Sequence, residues 1–233
     1  MTIQYNKQIS EMYDNMHPDK DYNKEVAFLK SLLPASTKNI LDVGCGTGIH
    51  AEKLAHMGYS VLGVDPSPNM IEVARRREQP TLSLSFKLGY IHNIRHNTLF
   101  DAAISMFNIP NHILTIQELG AYFGGVSERL QPGGLFVFDC FNQLAMSRDK
   151  PVVKTVGDRK LIPNYDPFTG ILSMSYEGSV EHTLRHRVWS LDMLRESAIA
   201  SGLSVISINK GYTNVIAEED DYKVMFLCRR SSQ

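Results

Sequence analysis

Three cysteines, one tryptophan and no long apolar run are what this 233-residue chain has least of. Cys45, Cys140 and Cys228 are odd in number and far apart, and two of them sit in apolar stretches. A disulfide framework or a metal site is therefore not expected, and buried free thiols in a reducing compartment are. No stretch approaches the roughly 18 consecutive apolar residues of a membrane span. The opening MTIQYNKQISEMYDNMHPDKDY is polar throughout, so a cytoplasmic setting without a membrane partner is the expectation. An excess of either charge is missing as well: 24 basic residues face 25 acidic ones, and the longest basic run is Arg75–Arg77. A nucleic-acid binder needs a basic footprint that this balance does not supply, which leaves a small molecule as the expected partner.

Hydrophobic residues are plentiful, at 43%, enough for the core of one domain. Short β-branched runs at 39–43, 60–64, 82–88, 100–106 and 135–140 alternate with helical patterns at 49–57, 69–77 and 117–130. That rhythm predicts a parallel, doubly wound α/β sheet. A helix at 24–33, stopped by Pro34, precedes it and belongs to an N-terminal helical lid over 1–36. The cofactor-binding half then occupies 37–145. Between 146 and 189, turn signals such as NYDPFTG interrupt β-prone pieces and predict an inserted antiparallel lid over the substrate. A helix at 191–201 and strands at 203–208 and 222–228 complete 190–233 as an antiparallel hairpin that closes the sheet, and the lid strands offer an edge for a homodimer.

The first strand runs into LDVGCGTG and then a helix, which delivers backbone amides and a helix N-terminus to the carboxyl end of the sheet, where such sheets bind ligands. Gly44, Gly46 and Gly48 are spaced G-x-G-x-G, with Ile49 where a dinucleotide fingerprint has its third glycine, so a pyrophosphate is disfavoured. Asp65, at the end of the second strand, is placed to accept from both hydroxyls of a ribose.

LDVGCGTG, the acidic strand end in VLGVDPSPNMIEVARRR and the later ERLQPGGLFVFD, in this order and at these distances, resemble the class I S-adenosylmethionine-dependent methyltransferases over roughly 38–230. The resemblance implies a Rossmann-like seven-stranded sheet and S-adenosyl-L-methionine as cofactor. It implies that Asp42 orients the glycine loop, that Gly44, Gly46 and Gly48 leave space for the methionine part with Cys45 among the cofactor-binding residues, and that Asp65 holds the ribose. Pro66 and Met70 correspond to positions near the adenosine, and Met70 fits the helix core equally well. Met106, at the end of the fourth strand, belongs to the same cofactor set. After the third strand many relatives carry Gly-Asp, whereas here Gly89 is followed by Tyr90. Adenine then rests on backbone groups around Tyr90 and Ile91 or on a stacked ring.

Methyl transfer needs an in-line nucleophile, exclusion of water and removal of any proton. His112, in SMFNIPNHIL after the fourth strand, would face the methyl group; an ordinary imidazole, with a pKa of about 6.5, is mostly neutral at pH 7 and can accept a proton. His17, His92 and His96 fall on loops with solvated roles. The N-terminal MYDNMHPDKDYNKEVAFLKSLL and the MFNIPNHI loop are similar to bacterial N,N-dimethyltransferases of nucleotide-linked amino sugars. That similarity implies Tyr13 at the substrate and Tyr22 at the methionine end of the cofactor, although amphipathic packing would place both tyrosines as well. Arg148, Arg159, Arg185 and Arg187 are candidates for a nucleotide's phosphates, or for the solvated face of the lid. Trp189, Tyr165, Phe168 and Tyr176 suit small-sheet packing, an aromatic wall or a dimer contact. O-methylation of a hydroxyl or carboxylate, and cofactor binding without transfer, stand as the alternatives.

Overall fold

The computed structural model describes residues 5–16, 20–95, 99–148, 153–156, 159–178 and 182–232. His17 and His96 lie outside the described residues, as does the side chain of Arg159. The chain begins with α1 (Lys7–Met12), a 3-10 turn at Tyr13–Met16 and α2 (Tyr22–Leu32). Next come β1 (Asn39–Val43), α3 (Ile49–His56), β2 (Ser60–Asp65), α4 (Pro68–Ala74), β3 (Leu84–Leu88), β4 (Phe100–Ser105), α5 (Ile116–Arg129), β5 (Leu130–Phe141) and α6 (Gln143–Arg148). Then follow β6 (Lys154–Val156), β7 (Arg159–Asp166), β8 (Ile171–Glu177), β9 (His182–Arg187), α7 (Leu191–Ala200), β10 (Leu203–Lys210) and β11 (Lys223–Arg230).

Side-chain oxygens start the helices. Asp21, Ser67, Thr115 and Ser190 each accept from the backbone N–H three residues on, which satisfies a donor that the first helical turn leaves open. Pro68 occupies the first position of α4, where its fixed φ suits the helix and its missing N–H costs nothing. The helix predicted over 69–77 is shorter than expected, because Arg75–Arg77 tighten into a 3-10 turn. α1 and α6 were not anticipated: six residues apiece give too little periodicity to read.

Seven strands make one sheet in the order β10-β11-β5-β4-β1-β2-β3. The pairs from β3 across to β5 are parallel, while β11 runs antiparallel to both β5 and β10, the hairpin expected from the sequence. β5 starts five residues earlier than predicted, because Leu130 pairs with Phe100 before the register jumps to Leu135 opposite Ala102. Alternation along β5 divides the core. Leu135 and Val137 join Val26, Leu29, Leu54 and Ile71 of α2, α3 and α4, whereas Phe136 and Phe138 join Leu119, Phe123 and Leu194 of α5 and α7. Phe138 stacks on Phe226 with centroids 4.6 Å apart, and each such ring withdrawn from water contributes about 2–3 kcal/mol.

The four strands β6 to β9 form a separate antiparallel meander with a small cluster of Met146, Leu172 and Val188 beneath it. No helix among the described residues is long and apolar enough to cross a membrane. The direction of strand addition reverses between β1 and β4, so the loops leaving these neighbours open a crevice at the carboxyl end of the sheet.

Candidate active site

The glycine loop after β1 forms one side of that crevice. Gly44, Gly46 and Gly48 all have positive φ (72°, 55° and 84°), a region that other residues enter at a cost. Their surroundings differ. A Cβ on Gly44 would stand 2.7 Å from Ile109 and one on Gly48 2.6 Å from the Phe86 ring, whereas a Cβ on Gly46 would meet nothing within 4 Å. Gly46 is thus the glycine that faces open space. Gly48 does not line the crevice, contrary to its expected place beside the cofactor, and is required by packing against Phe86.

The crevice is a cavity of about 500 Å³. Its floor gathers Asp42, Gly44, Cys45 and Gly46, and one end holds Asp65, Pro66 and Met70 against Gly89, Tyr90 and Ile91. Met106, Tyr13, Tyr22 and His112 complete the set expected from the sequence, so Gly48 is its single member outside the lining. Met70 serves both readings, since it lines the cavity and is 2% exposed. Tyr90 stacks on His92 with centroids 5.7 Å apart, which gives His92 a place at the rim.

Asp65 accepts from Gly46 N (3.0 Å) through one oxygen and from Ser67 N (2.8 Å) through the other. Asp65, rather than Asp42 as expected, therefore ties down the glycine loop. Each oxygen of a carboxylate has about two acceptor positions, so Asp65 can still receive two hydroxyls. Asp42 accepts instead from the backbone of Ala51 in α3, and its Oδ2 is buried with no hydrogen-bond partner among the described residues. Burial, reinforced by Asp65, pushes the Asp42 carboxyl up to about 7. Burial raises Asp65 to about 6 against the pull of its two backbone N–H donors.

The N-terminal segment supplies a wall that sequence reasoning found only in part. Tyr5, which it missed, lines the cavity and shares a side-chain hydrogen bond with Tyr13, their rings 5.5 Å apart edge to face. Asp14 clasps this segment to the glycine loop by accepting from Thr47 Oγ1 (2.5 Å) and Arg77 Nη2 (2.5 Å), and Arg77 also donates to Thr47 O and Glu52. Asp14→Ala is expected to weaken ligand binding in the crevice about tenfold, since the half-exposed clasp holds this wall closed; calorimetry with the ligand identified below checks this.

Below Tyr22, Lys20 donates to both oxygens of Glu25 (2.7 Å each), and Glu25 meets His50 Nε2 at 2.7 Å. Lys20 Nζ also lies 4.3 Å from the centroid of Phe107, and Lys223 Nζ lies 5.5 Å from the same ring. Phe107 and Asn108 have φ of 70° and 61°, and Asp139 fixes this strained pair by accepting from Asn108 N at 2.5 Å. No spacing in the sequence links Lys20, Phe107 and Lys223, since the contact depends on the β5–β11 pairing.

The same loop ends in the turn Ile109–His112. His112 is 7% exposed and lies 6.0 Å from the ring of Tyr5. Burial lowers its pKa to about 4 instead of the ordinary imidazole value, so it is neutral at pH 7 and a weaker proton acceptor than expected. Beyond it, His186 from β9 faces it Nε2 to Nε2 at 3.3 Å. Among the arginines, Arg187 donates to Leu114 O and lies over Trp189, so its guanidinium is engaged within the protein. Arg148 and Arg185 are exposed. Trp189 is buried, Tyr165 and Tyr176 are half-buried, and Phe168 stands 98% exposed at the β7–β8 turn.

The cavity fits an amino-acid-bearing nucleoside. The open Asp42 oxygen suits an ammonium, the spare acceptor positions of Asp65 suit ribose hydroxyls, and Met70, Ile91 and Tyr90 offer an apolar slot for a flat base. Comparison with known proteins agrees. Residues 40–134 match the methyltransferase domain family. A protein of Geobacillus sp. (strain WCH70) bearing a methyltransferase name is 24% identical over 94% of this chain and 96% of its own. A dTDP-3-amino-3,4,6-trideoxy-alpha-D-glucopyranose N,N-dimethyltransferase of Streptomyces venezuelae is 33% identical over 52% of this chain and 51% of its own, so this chain spans about half the length of that relative. The CcbJ methyltransferase of Streptomyces caelestis shares the fold with a TM-score of 0.83 at 20% identity, over 97% of this chain and all of that one. With the matched domain, the sheet order and the cradle of glycine loop and carboxylates in place, residues 40–134 form a methyltransferase domain, and S-adenosylmethionine is the cofactor that this domain takes.

Proposed function

We propose that the chain methylates the amino group of a small, oxygen-rich acceptor, a nucleotide-linked amino sugar, and that the acceptor enters as the neutral amine. Bound S-adenosylmethionine supplies a methyl group on a positively charged sulfur. Asp65 holds the ribose, Asp42 the ammonium of the methionine part, and Tyr22 packs beside it. Tyr13 and His112 face the acceptor.

The observation that carries this reading is the uncharged character of the acceptor side. Burial drives the Tyr5 and Tyr13 hydroxyls well above their usual range and His112 well below its own, so all three are neutral hydrogen-bonding groups at pH 7. A wall of that kind disfavours an ammonium and admits its conjugate base, because a charge moved out of water without a counter-charge is costly. The similarity to the dTDP-amino-sugar dimethyltransferase of Streptomyces venezuelae supports the choice of amine.

The test is to incubate the protein with S-adenosylmethionine and a panel of amino-sugar nucleotides, plain sugar nucleotides, small amines and carboxylic acids, reading methyl gain by mass spectrometry. Gain on an amino-sugar nucleotide is expected, with kcat/KM rising with pH up to the pKa of the free amine and showing no step near 6.5 from His112. Gain confined to a hydroxyl or carboxyl acceptor would replace N- by O-methylation, and cofactor binding without transfer to any acceptor would remove the catalytic reading.

A further inference from the structure

The contact between His112 and His186 joins the core to the inserted sheet and is built to stay in register. Asn111 Nδ2 donates to Arg187 O (2.9 Å), while its Oδ1 accepts from Phe141 N (3.0 Å). Trp189 Nε1 donates to Pro110 O (3.2 Å) and Ile113 O (3.1 Å), and Arg187 Nη1 donates to Leu114 O (3.1 Å). These bonds bracket the two imidazoles, which lie 4.2 Å apart between centroids and are 7% and 3% exposed.

Two neutral imidazoles that meet through their Nε2 atoms must divide the roles: one carries the proton and donates, and the other accepts. The second nitrogen of His186 decides between them. Nδ1 of His186 is buried and has no hydrogen-bond partner among the described residues. A proton there would be an orphaned buried N–H, which folded proteins tolerate less well than an orphaned lone pair. The His186 proton therefore sits on Nε2 and points at Nε2 of His112. His112, being neutral, then keeps its own proton on Nδ1, the nitrogen that His186 does not engage, in a ring that lines the cavity.

We propose that His186 is a positioning residue that fixes His112 as the Nδ1–H tautomer, so that His112 offers the methyl acceptor a hydrogen-bond donor and not a base. The inference rests on the reading that His112 faces the acceptor. It narrows the acceptor's chemistry: next to the nucleophile there is an oxygen lone pair, from a hydroxyl, ring or phosphate group, for this N–H to hold. The nucleophile itself enters without a proton to be removed by His112.

The test is long-range ¹H–¹⁵N correlation of the histidine rings in the labelled full-length protein without ligands, with the His112 signals assigned by their loss in His112→Gln. A protonated Nδ1 and a bare Nε2 on His112 are expected. In His186→Phe, which keeps a ring but has no donor, His112 should redistribute toward the Nε2–H form and kcat/KM should fall about tenfold. In His186→Gln, whose amide N–H can stand in for the lost donor, both readouts should recover in part. A His112 protonated at Nε2 in the unmodified protein overturns the proposal, as does an unchanged His112 tautomer in His186→Phe. Should His186→Phe fail to fold, the unmodified spectrum and the glutamine variant still decide. The spectrum involves no substrate and the acceptor panel involves no tautomer, so failure of the amino-sugar assignment and failure of this inference are seen separately.

Discussion

Asp42→Asn is expected to make the protein harder to melt at pH 8 and worse at holding S-adenosylmethionine. The Asp42 carboxyl titrates at about 7 in the fold against an ordinary value of 3.8. A carboxyl raised in this way binds its proton more tightly in the folded chain than in the unfolded one. Its cost to stability is absent below the ordinary value, grows as the pH climbs toward 7 and is complete above that. About three units at about 1.4 kcal/mol each set an upper bound of about 4 kcal/mol, part of which belongs to the neighbouring Asp65. Asparagine keeps the shape and removes the charge. Melting curves should then show a gain of about 5 °C at pH 8 and none at pH 4, while calorimetry should show Kd for the cofactor rising about 10- to 100-fold. Equal melting temperatures at pH 8 would refute the charge cost, and an unchanged Kd would remove Asp42 from the ammonium. The trade is of a familiar kind, stability given up where a ligand must be held.

Asp139→Ala should act in the opposite direction. Asp139 is 1% exposed at the side chain and accepts from Asn108 N, Tyr212 Oη (2.7 Å) and Lys223 Nζ (2.7 Å). Burial alone would raise its pKa, but the Lys223 ammonium and the donated hydrogen bonds outweigh burial and hold the carboxyl below its usual range. A depressed carboxyl contributes stability that is complete above its ordinary pKa and is lost as the pH falls through the lower, folded-state value. Removing it strands a partly buried ammonium and frees the two left-handed residues Phe107 and Asn108. Breaking a buried pair from one side costs about 3–5 kcal/mol, and the 26% exposure of Lys223 favours the lower end. Thermal melts at pH 7 should show a loss of about 6–12 °C, shrinking in strong acid. Turnover should fall more than cofactor affinity, because the freed loop carries His112. A melting temperature within 2 °C of the parent would show that Asp139 does not hold this loop.

The parts of the site that the sequence made legible are those carried by a strand end and the residues directly after it. Asp42, Gly44, Gly46, Asp65, Gly89 and Met106 sit where β1, β2, β3 and β4 stop, so alternation and spacing locate them without knowledge of the fold. Gly48 is ambiguous in the sequence, because the same spacing serves a ligand or a Phe86 ring and only the packing distinguishes them. His186 could not be found this way. It lies 74 residues from His112, on a strand whose register against the 109–112 turn is set by Asn111, Arg187 and Trp189 and not by any local pattern. Charge states were equally hidden: His112 at about 4 and Asp42 at about 7 follow from burial, which a linear chain does not display.

The bonds by which Asn111, Arg187 and Trp189 lock β9 to the turn before α5 also limit how this enzyme can be recombined. Although β6 to β9 are spliced between two core elements like an interchangeable module, they share hydrogen bonds with a loop encoded some 70 residues upstream. An insertion transplanted alone would leave those partners behind, so the inserted sheet keeps its register on the core only when it and the 107–114 loop travel together.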